Sequence, residues 1–364
     1  MKILFVSNHI YPCVTGGAEI FNYYLADKLS ANNNVTLFSC CTKKHANIKL
    51  VNVKKQRPIS YIMPLKLLWY VLRTRKKIDV IFLSYMRSHW FGWLIYPILK
   101  KIFGIEYIIT IHGGSLNPWK PFFPFYWAFR NAFRLIGVSE RICEEYNRRA
   151  KLNVKYIPPL LPFRKSENET DVIKEEYNIP KDSRIILYVG SLKELKSPLT
   201  LLRGFNLLKS DFVDKNNLYL IFAGEGNLKE EMIRSVKYSE RTKFLGNVPR
   251  EDIPDLYKIS DLYVITSKYE ATPLSLLEAM YNKLPVIGSD VKGINTIIEN
   301  GYNGILFEQG NHLELSSKIK ELIDNRRKSE SYAAEALKTY ERKYSYKEML
   351  DDYQTIFNEA ANEK

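Results

Sequence analysis

Cysteine is scarce, and its arrangement is uninformative as a framework. Cys13, Cys40, Cys41 and Cys143 show no paired spacing and no Cys-x-x-Cys, so they read as buried thiols in a reducing compartment. No Asp-x-Asp occurs anywhere, so the usual carboxylate pair for a metal-bound diphosphate is missing. No G-x-G-x-x-G follows the first strand-like run, which excludes a nicotinamide dehydrogenase of the ordinary kind. No recognised nucleic-acid module is present, so nucleic acid is not an expected partner. The longest apolar stretch, Trp90 to Leu99, is about half a membrane span. The N-terminus, Met1 to Ser7, lacks the architecture of a signal peptide and reads as a first strand. These absences place the chain in the cytoplasm, peripheral to the inner face of the plasma membrane.

What is present is enough apolar material for two cores: 364 residues, 46% of them hydrophobic, exceed one ordinary domain. Charge is unevenly shared. Residues 1–165 carry 26 Lys and Arg against 7 Asp and Glu, whereas the remainder carries 28 against 33. Solubility alone accounts poorly for so lopsided a split, and an anionic surface suits the basic half better. Aromatics crowd the same half, among them Trp69, Trp90, Trp93, Trp119, Phe125 and Trp127. Trp and Tyr beside Lys and Arg fit a bilayer interface, where rings sit at headgroup depth. Lys54, Lys55, Arg57, Arg73, Arg75, Lys76 and Lys77, with the aromatics of residues 119–129, are the candidates for such a contact.

Apolar strand-like runs alternate with helical patterns along the whole chain. Lys2–Val6, Val35–Ser39, Val80–Leu83, Tyr107–Ile111 and Leu135–Val138 form a first series. Tyr156–Phe163, with Pro158, Pro159 and Pro162, suits a linker. The series then restarts at Ile185–Val189, Leu218–Ala223, Lys243–Leu245, Leu262–Ile265 and Pro285–Ile287. Strand–helix alternation implies parallel sheets covered on both faces, here in two domains, 1–165 and 166–344. The tail from Tyr344 to Ala361 has Tyr346, Met349, Leu350, Tyr353 and Phe357 at helical spacing, and a helix over 345–364 is expected to pack back on the first domain. Two such domains in series place a ligand cleft at the carboxyl ends of their strands.

Ser267 to Met280 follows the strand-like run Leu262–Ile265 and so lies at its carboxyl end. Thr272 is a good N-cap and Pro273 a good first helical residue, so a helix is expected to start there with its free amides toward the cleft. Such an N-terminus stabilises a diphosphate through its N–H donors and dipole. Glu270 stands just outside this helix and Glu278 nearly two turns inside it, among Leu276, Leu277, Ala279 and Met280. A carboxylate in so apolar a setting needs a partner, and sugar hydroxyls are suitable ones.

Glu270, seven residues, Glu278, then Leu284-Pro285-Val286-Ile287 and Asn303-Gly304-Ile305-Leu306-Phe307, resembles the group 1 glycosyltransferases, a large retaining family. The likeness spans most of the chain. It implies an α/β protein of the GT-B fold, two Rossmann-like doubly wound parallel-sheet domains facing across a cleft. It implies transfer of a hexose or N-acetylhexosamine from a nucleotide-diphosphate sugar, UDP-linked by preference and GDP-linked next, to a glycan or lipid-linked acceptor. No cofactor or metal is implied. By the same resemblance Glu270 approaches the donor sugar, Glu278 grips the ribose hydroxyls, and Ala271, Thr272, Pro273 (through its carbonyl), Leu274 and Ser275 frame sugar and diphosphate. Gly190 and Ser191 begin the strand-end loop in which Lys196 holds the diphosphate; Gly224 belongs to the next loop, and Val248 to a segment whose backbone reads the base. Gly16 and Gly17 open the first helix, where glycine lets a backbone approach a phosphate. Taken by themselves, these glycines fit an ordinary tight βα turn better. His112, ending Thr110-Ile111-His112, matches the histidine that touches donor sugar and reacting centre; Ser139 ends another strand pointing the same way.

The sequence also departs from the family pattern. Ser191 stands where an Arg is usual, Ala271-Thr272 replaces a glycine-containing pair, and Pro158-Pro159-Leu160 replaces the usual Pro-Asn-Gly hinge. The resemblance implies that the leaving phosphate itself takes the acceptor proton, so that no separate nucleophilic carboxylate is required, the two-carboxylate glycosidase scheme does not apply, and Glu270, Lys196 and His112 position and stabilise. Two rival readings remain: a nucleotide-sugar 2-epimerase on the same fold, and a non-catalytic partner subunit, toward which Ser191 and Ala271 point.

Overall fold

The structure, a computed structural model, describes residues 1–7, 10–13, 17–40, 48–52, 59–74, 78–85, 93–112, 123–159 and 161–363. It divides into two compact units, Met1–Pro162 with Tyr346–Lys364, and Phe163–Ser345.

The first unit is built on seven parallel strands: β1 (Lys2–Val6), β2 (Asn34–Ser39), β3 (Lys49–Asn52), β4 (Val80–Tyr85), β5 (Glu106–Ile111), β6 (Arg134–Gly137) and β7 (Val154–Tyr156). Between them run α1 (Gly17–Ser30), α2 (Ile59–Thr74), α3 (Ile95–Phe103), α4 (Phe123–Asn131) and α5 (Glu140–Ala150). The sheet order is β3-β2-β1-β4-β5-β6-β7. The central strands read as unbroken apolar runs because helices cover both faces; every residue of β5 is buried.

The second unit has β8 (Arg184–Val189), β9 (Leu218–Ala223), β10 (Thr242–Gly246), β11 (Leu262–Ile265), β12 (Val286–Ser289) and β13 (Ile305–Phe307) in the order β10-β9-β8-β11-β12-β13, again parallel. Its helices are α6 (Thr170–Glu176), α7 (Pro198–Asn206), α8 (Ser210–Lys215), α9 (Lys229–Arg234), α10 (Ile253–Lys258), α11 (Leu274–Tyr281), α12 (His312–Asp324) and α13 (Arg326–Lys343). Its core joins Ile186, Leu220, Phe222 and Val264 of the sheet to Leu201, Phe205, Leu315 and Ile319 of α7 and α12. The last helix, α14 (Tyr346–Asn362), buries Met349, Tyr353, Ile356, Phe357 and Ala360 at helical spacing. That face lies on the first sheet, with Phe357 5.7 Å and Tyr353 6.1 Å from the Phe82 ring.

Three strands, β3, β7 and β13, have no counterpart in the sequence-based series. Each is three or four residues long and sits at the outer edge of its sheet. An edge strand carries only a short apolar signal, and pairing to its neighbour defines it. One cysteine, Cys13, also differs from expectation. Cys143 is buried and Cys40 half-buried, both as free thiols, but Cys13 is disulfide-bonded to a partner outside the described residues. Spacing along the chain does not measure the distance between two sulfurs once loops fold.

Candidate active site

In both sheets the strand order reverses once, between β1 and β4 and between β8 and β11. Loops leaving two such neighbours diverge to opposite sides and leave a crevice at their carboxyl ends. In the second unit those loops are residues 190–197, after β8, and 266–273, after β11, and they are tied together. The Thr266 hydroxyl lies 3.1 Å from the Lys196 carbonyl and 2.9 Å from that of Ser197. The Lys268 amide donates to the Leu195 carbonyl at 2.8 Å, and its ammonium pairs with Glu194.

Lys196 ends a single 3-10 turn, Glu194–Lys196, and its ammonium lies 2.5 Å from Glu270 Oε1. The Ser267 hydroxyl donates to the same oxygen at 2.7 Å. Glu270 is buried, and its carbonyl is backed by Gly293, whose φ is +97° and where a Cβ would come within 2.2 Å of that oxygen. The loop after β9 closes the other side. Gly224, with φ +151°, passes so near the chain that a Cβ would stand 1.9 Å from the Gly190 carbonyl oxygen. Glycine at 224 is thus demanded by contact with its own fold. Ser191 is half-buried at the head of this loop, its carbonyl accepting from the Tyr188 hydroxyl at 3.2 Å.

The helix in the central motif begins later than its sequence suggests. Pro273, with ψ 100°, occupies the N-cap position and α11 starts at Leu274, without a side-chain cap. Pro273 itself keeps an extended ψ, so Thr272 lies one position before the cap. The amides of Leu274 and Ser275 therefore head the helix, and Glu278 lies about one turn inside it. Ala271 and Thr272 are half-buried on the approach.

Glu278 is 2% exposed, and its partner is a side chain absent from the sequence-based site. Arg250 grips it with both terminal nitrogens, Nη1 to Oε2 at 2.8 Å and Nη2 to Oε1 at 2.5 Å. Burial pushes the Glu278 carboxyl up from the ordinary range, against the opposing pull of Arg250 and the Tyr257 hydroxyl. Arg250 stands two residues beyond the half-buried Val248, just past the recognised segment, and no local signal in the sequence marks it for Glu278.

The remaining candidates belong to the first unit. Gly17 is the first residue of α1, and Gly16 lies outside the described residues, as do Gly113 and Gly114. His112 directly follows β5, and its ring is 5.4 Å from that of Phe21 on α1. Its Nε2 is shielded from solvent and has no hydrogen-bond partner among the described residues; burial pushes its pKa down to about 3, so the ring is neutral. Ser139 is not a free strand-end hydroxyl: it caps α5, accepting from the Ile142 amide at 3.3 Å. Of the basic and aromatic candidates for a membrane surface, Lys54, Lys55, Arg57, Arg75, Lys76, Lys77, Trp119 and Phe122 lie outside the described residues. Phe129 is buried, 4.0 Å from the half-buried Phe125 ring and 5.6 Å from Trp93, so these rings serve the core.

Comparison with known proteins agrees with the two parallel-sheet units. The family model described as Glycosyl transferases group 1 matches residues 169–339, and that of Glycosyltransferase Family 4 matches residues 15–160. An α-D-kanosaminyltransferase of Streptomyces kanamyceticus is 26% identical over 319 residues, covering 80% of this chain and 81% of its own. A UDP-Gal:α-D-GlcNAc-diphosphoundecaprenol α-1,3-galactosyltransferase of Escherichia coli is 26% identical over 282 residues, covering 69% and 68%. Among solved structures, Anabaena HepE in complex with UDP and glucose superposes with a TM-score of 0.78 at 19% identity, covering 99% of this chain and 100% of that one.

Proposed function

The chain belongs to the group 1 glycosyltransferases of the GT-B fold, and on that premise we propose the donor, the acceptor and the course of its reaction. The protein moves a hexose or N-acetylhexosamine from a UDP-sugar, with GDP-sugars next in order, to a lipid-linked or glycan acceptor at a membrane surface. Transfer proceeds with retention at the anomeric carbon and without a metal.

The Lys196–Glu270 pair, 2.5 Å long at the switch point of the second sheet, carries this reading. A diphosphate placed against the head of α11 offers Lys196 a stronger anion than one carboxylate. Glu270 is then freed toward the sugar while Ser267 still holds it. As the bond to the diphosphate breaks, charge grows on the leaving oxygens, where Lys196 and the Leu274 and Ser275 amides can meet it. Glu270 and His112 orient the sugar and the acceptor. The base preference is supported by the UDP-bound HepE structure and by the UDP-Gal-using relative.

A membrane-held acceptor is supported by the basic first half and by one face of α2. Leu65, Trp69 and Leu72 are exposed there at helical spacing, 66%, 59% and 45%, with the Arg73 guanidinium 5.3 Å from the Trp69 ring. No described helix is long and apolar enough to cross a bilayer.

Thermal-shift measurements against UDP, GDP and ADP test the donor site. A rise specific to UDP and lost in Glu278→Ala is expected; no rise with any nucleotide sinks the reading in favour of a non-catalytic subunit. Incubating a UDP-sugar without acceptor then separates transfer from epimerisation, since a 2-epimerase alters the sugar alone. With acceptor, the anomeric configuration of the product should match the donor and turnover should survive EDTA. Co-flotation with anionic but not neutral liposomes is expected; equal binding to both removes the electrostatic part.

A further inference from the structure

We infer that Arg250 is a positioning residue of the nucleotide site: its guanidinium fork holds the buried Glu278 carboxylate in the orientation and acceptor-only form needed to take a pair of ribose hydroxyls. The inference rests on the proposed nucleotide role of Glu278. Three observations carry it. Both carboxylate oxygens are engaged, at 2.8 and 2.5 Å, by the two terminal nitrogens of one guanidinium. A planar fork of this kind fixes direction as well as charge, which a lysine ammonium cannot do. Glu278 is 2% exposed and lies on α11 between Leu277 and Ala279, both fully buried, so its rotation is set by the partner that reaches it. Arg250 is itself held, its guanidinium carbon 6.0 Å from the Phe163 ring centroid.

Each carboxylate oxygen has two lone pairs; the fork uses one on each, and the Tyr257 hydroxyl also bonds the carboxylate. A vicinal diol would take the remaining capacity with Tyr257 turned to the Ser275 carbonyl, 2.9 Å away, whereas a protonated carboxyl would offer a donor and lose part of that capacity. Around Glu278 the charged and titratable neighbours are Arg250 and Tyr257 from the α10 side, Tyr263 from β11 and Tyr340 from α13. Burial pushes all three phenols up, so none ionises between pH 5.5 and 8.5. Arg250 is then the cation that opposes the effect of burial on Glu278. Without it the carboxyl rises further and takes a proton within the neutral range, as isolated buried glutamates do.

The test uses the full chain labelled with carboxyl-13C glutamate, as wild type, Arg250→Gln, Arg250→Lys and the double variant Arg250→Gln/Glu278→Gln. Two quantities are followed from pH 5.5 to 8.5: the Glu278 carboxyl shift and the UDP dissociation constant. In Arg250→Gln the Glu278 resonance should titrate inside this window, and UDP affinity should fall at least about tenfold at pH 6 and recover toward pH 8.5. Arg250→Lys should restore the charged resonance yet regain only part of the affinity, because one ammonium replaces a fork. The double variant, which buries no charge and is the better candidate to fold, should bind weakly and independently of pH. A Glu278 resonance in Arg250→Gln that matches wild type overturns the inference, as does an affinity loss equal at every pH. If wild type binds no nucleotide while the carboxyl titrates as expected, the nucleotide reading fails and the hold of Arg250 on Glu278 stands.

Discussion

At the carboxyl end of the second sheet the charged side chains are paired within the unit: Lys196 with Glu270, Lys268 with Glu194, and, on the adjoining helix, Glu278 with Arg250. At the same end of the first sheet some buried polar groups are left unsatisfied. Among the described residues His112 Nε2 and the Asn22 carbonyl oxygen lack hydrogen-bond partners, while the Tyr353 hydroxyl and Thr110 bond each other. They are surrounded by rings: Phe21 lies 5.4 Å from His112 and 6.0 Å from Tyr353. The contrast teaches that equal strand order does not imply equal readiness. The second unit keeps its shape by internal ion pairs, and a ligand must exchange with them. The first leaves buried polar capacity unfilled, at a cost of about 1–3 kcal/mol per group, which packing must offset.

The largest effect expected from disturbing this contrast is catalytic. Lys196→Ala and Glu270→Gln should each lower kcat by about 10²–10³-fold while leaving the urea midpoint close to wild type, since the pair is needed for transfer. A large fall in the midpoint with unchanged kcat would make the pair structural instead. His112→Ala should lower kcat by about 10²-fold and leave the UDP thermal shift intact, because the residue belongs to the other unit. Loss of the shift in that variant would break the division of labour.

A pH series sharpens the comparison further. His112 is held neutral, with its pKa pushed down to about 3, whereas in the unfolded chain it titrates near 6.5. Between these values the unfolded state binds the extra proton, so stability is full above about pH 6.5 and is lost as pH falls toward 3. His112→Asn should flatten that loss in urea titrations between pH 6.5 and 4; an unchanged slope would show that His112 is not buried neutral. The smallest effect is expected from Tyr353→Phe. It removes the hydroxyl that meets Thr110 inside a buried aromatic cluster, and stability should fall by about 1 kcal/mol in urea titration. No loss at all would show that the Tyr353–Thr110 contact contributes nothing to the fold.

The strands at the centres of both sheets were legible as apolar runs, because a parallel strand covered on two faces has no polar side to break the pattern. Glu270 and Glu278 stood out for the opposite reason, as carboxylates beside residues that belong in a core. Arg250 was not legible: nothing in Asn247-Val248-Pro249-Arg250 marks its guanidinium for a glutamate 28 positions away. The helix start was misplaced by one residue: capping preference favoured Thr272, whereas Pro273 keeps an extended ψ and becomes the cap itself. The aromatics of α4 read as surface by composition, yet helical rotation turns Phe129 inward.

By itself the sequence determined the alternation of strand and helix, the restart near the proline-rich segment, the charge asymmetry and the presence of two carboxylates with a lysine in strand-end loops. These follow from local periodicity and residue type, which act over a few positions. Tertiary structure alone decided who partners whom. It placed Lys196 on Glu270 and Arg250 on Glu278, spent Ser139 on a helix cap, tied up Cys13, and buried His112 Nε2 without a partner among the described residues. Such pairings depend on which loops leave neighbouring strands at a reversal of sheet order. That adjacency is a property of the folded sheet and has no counterpart in separation along the chain.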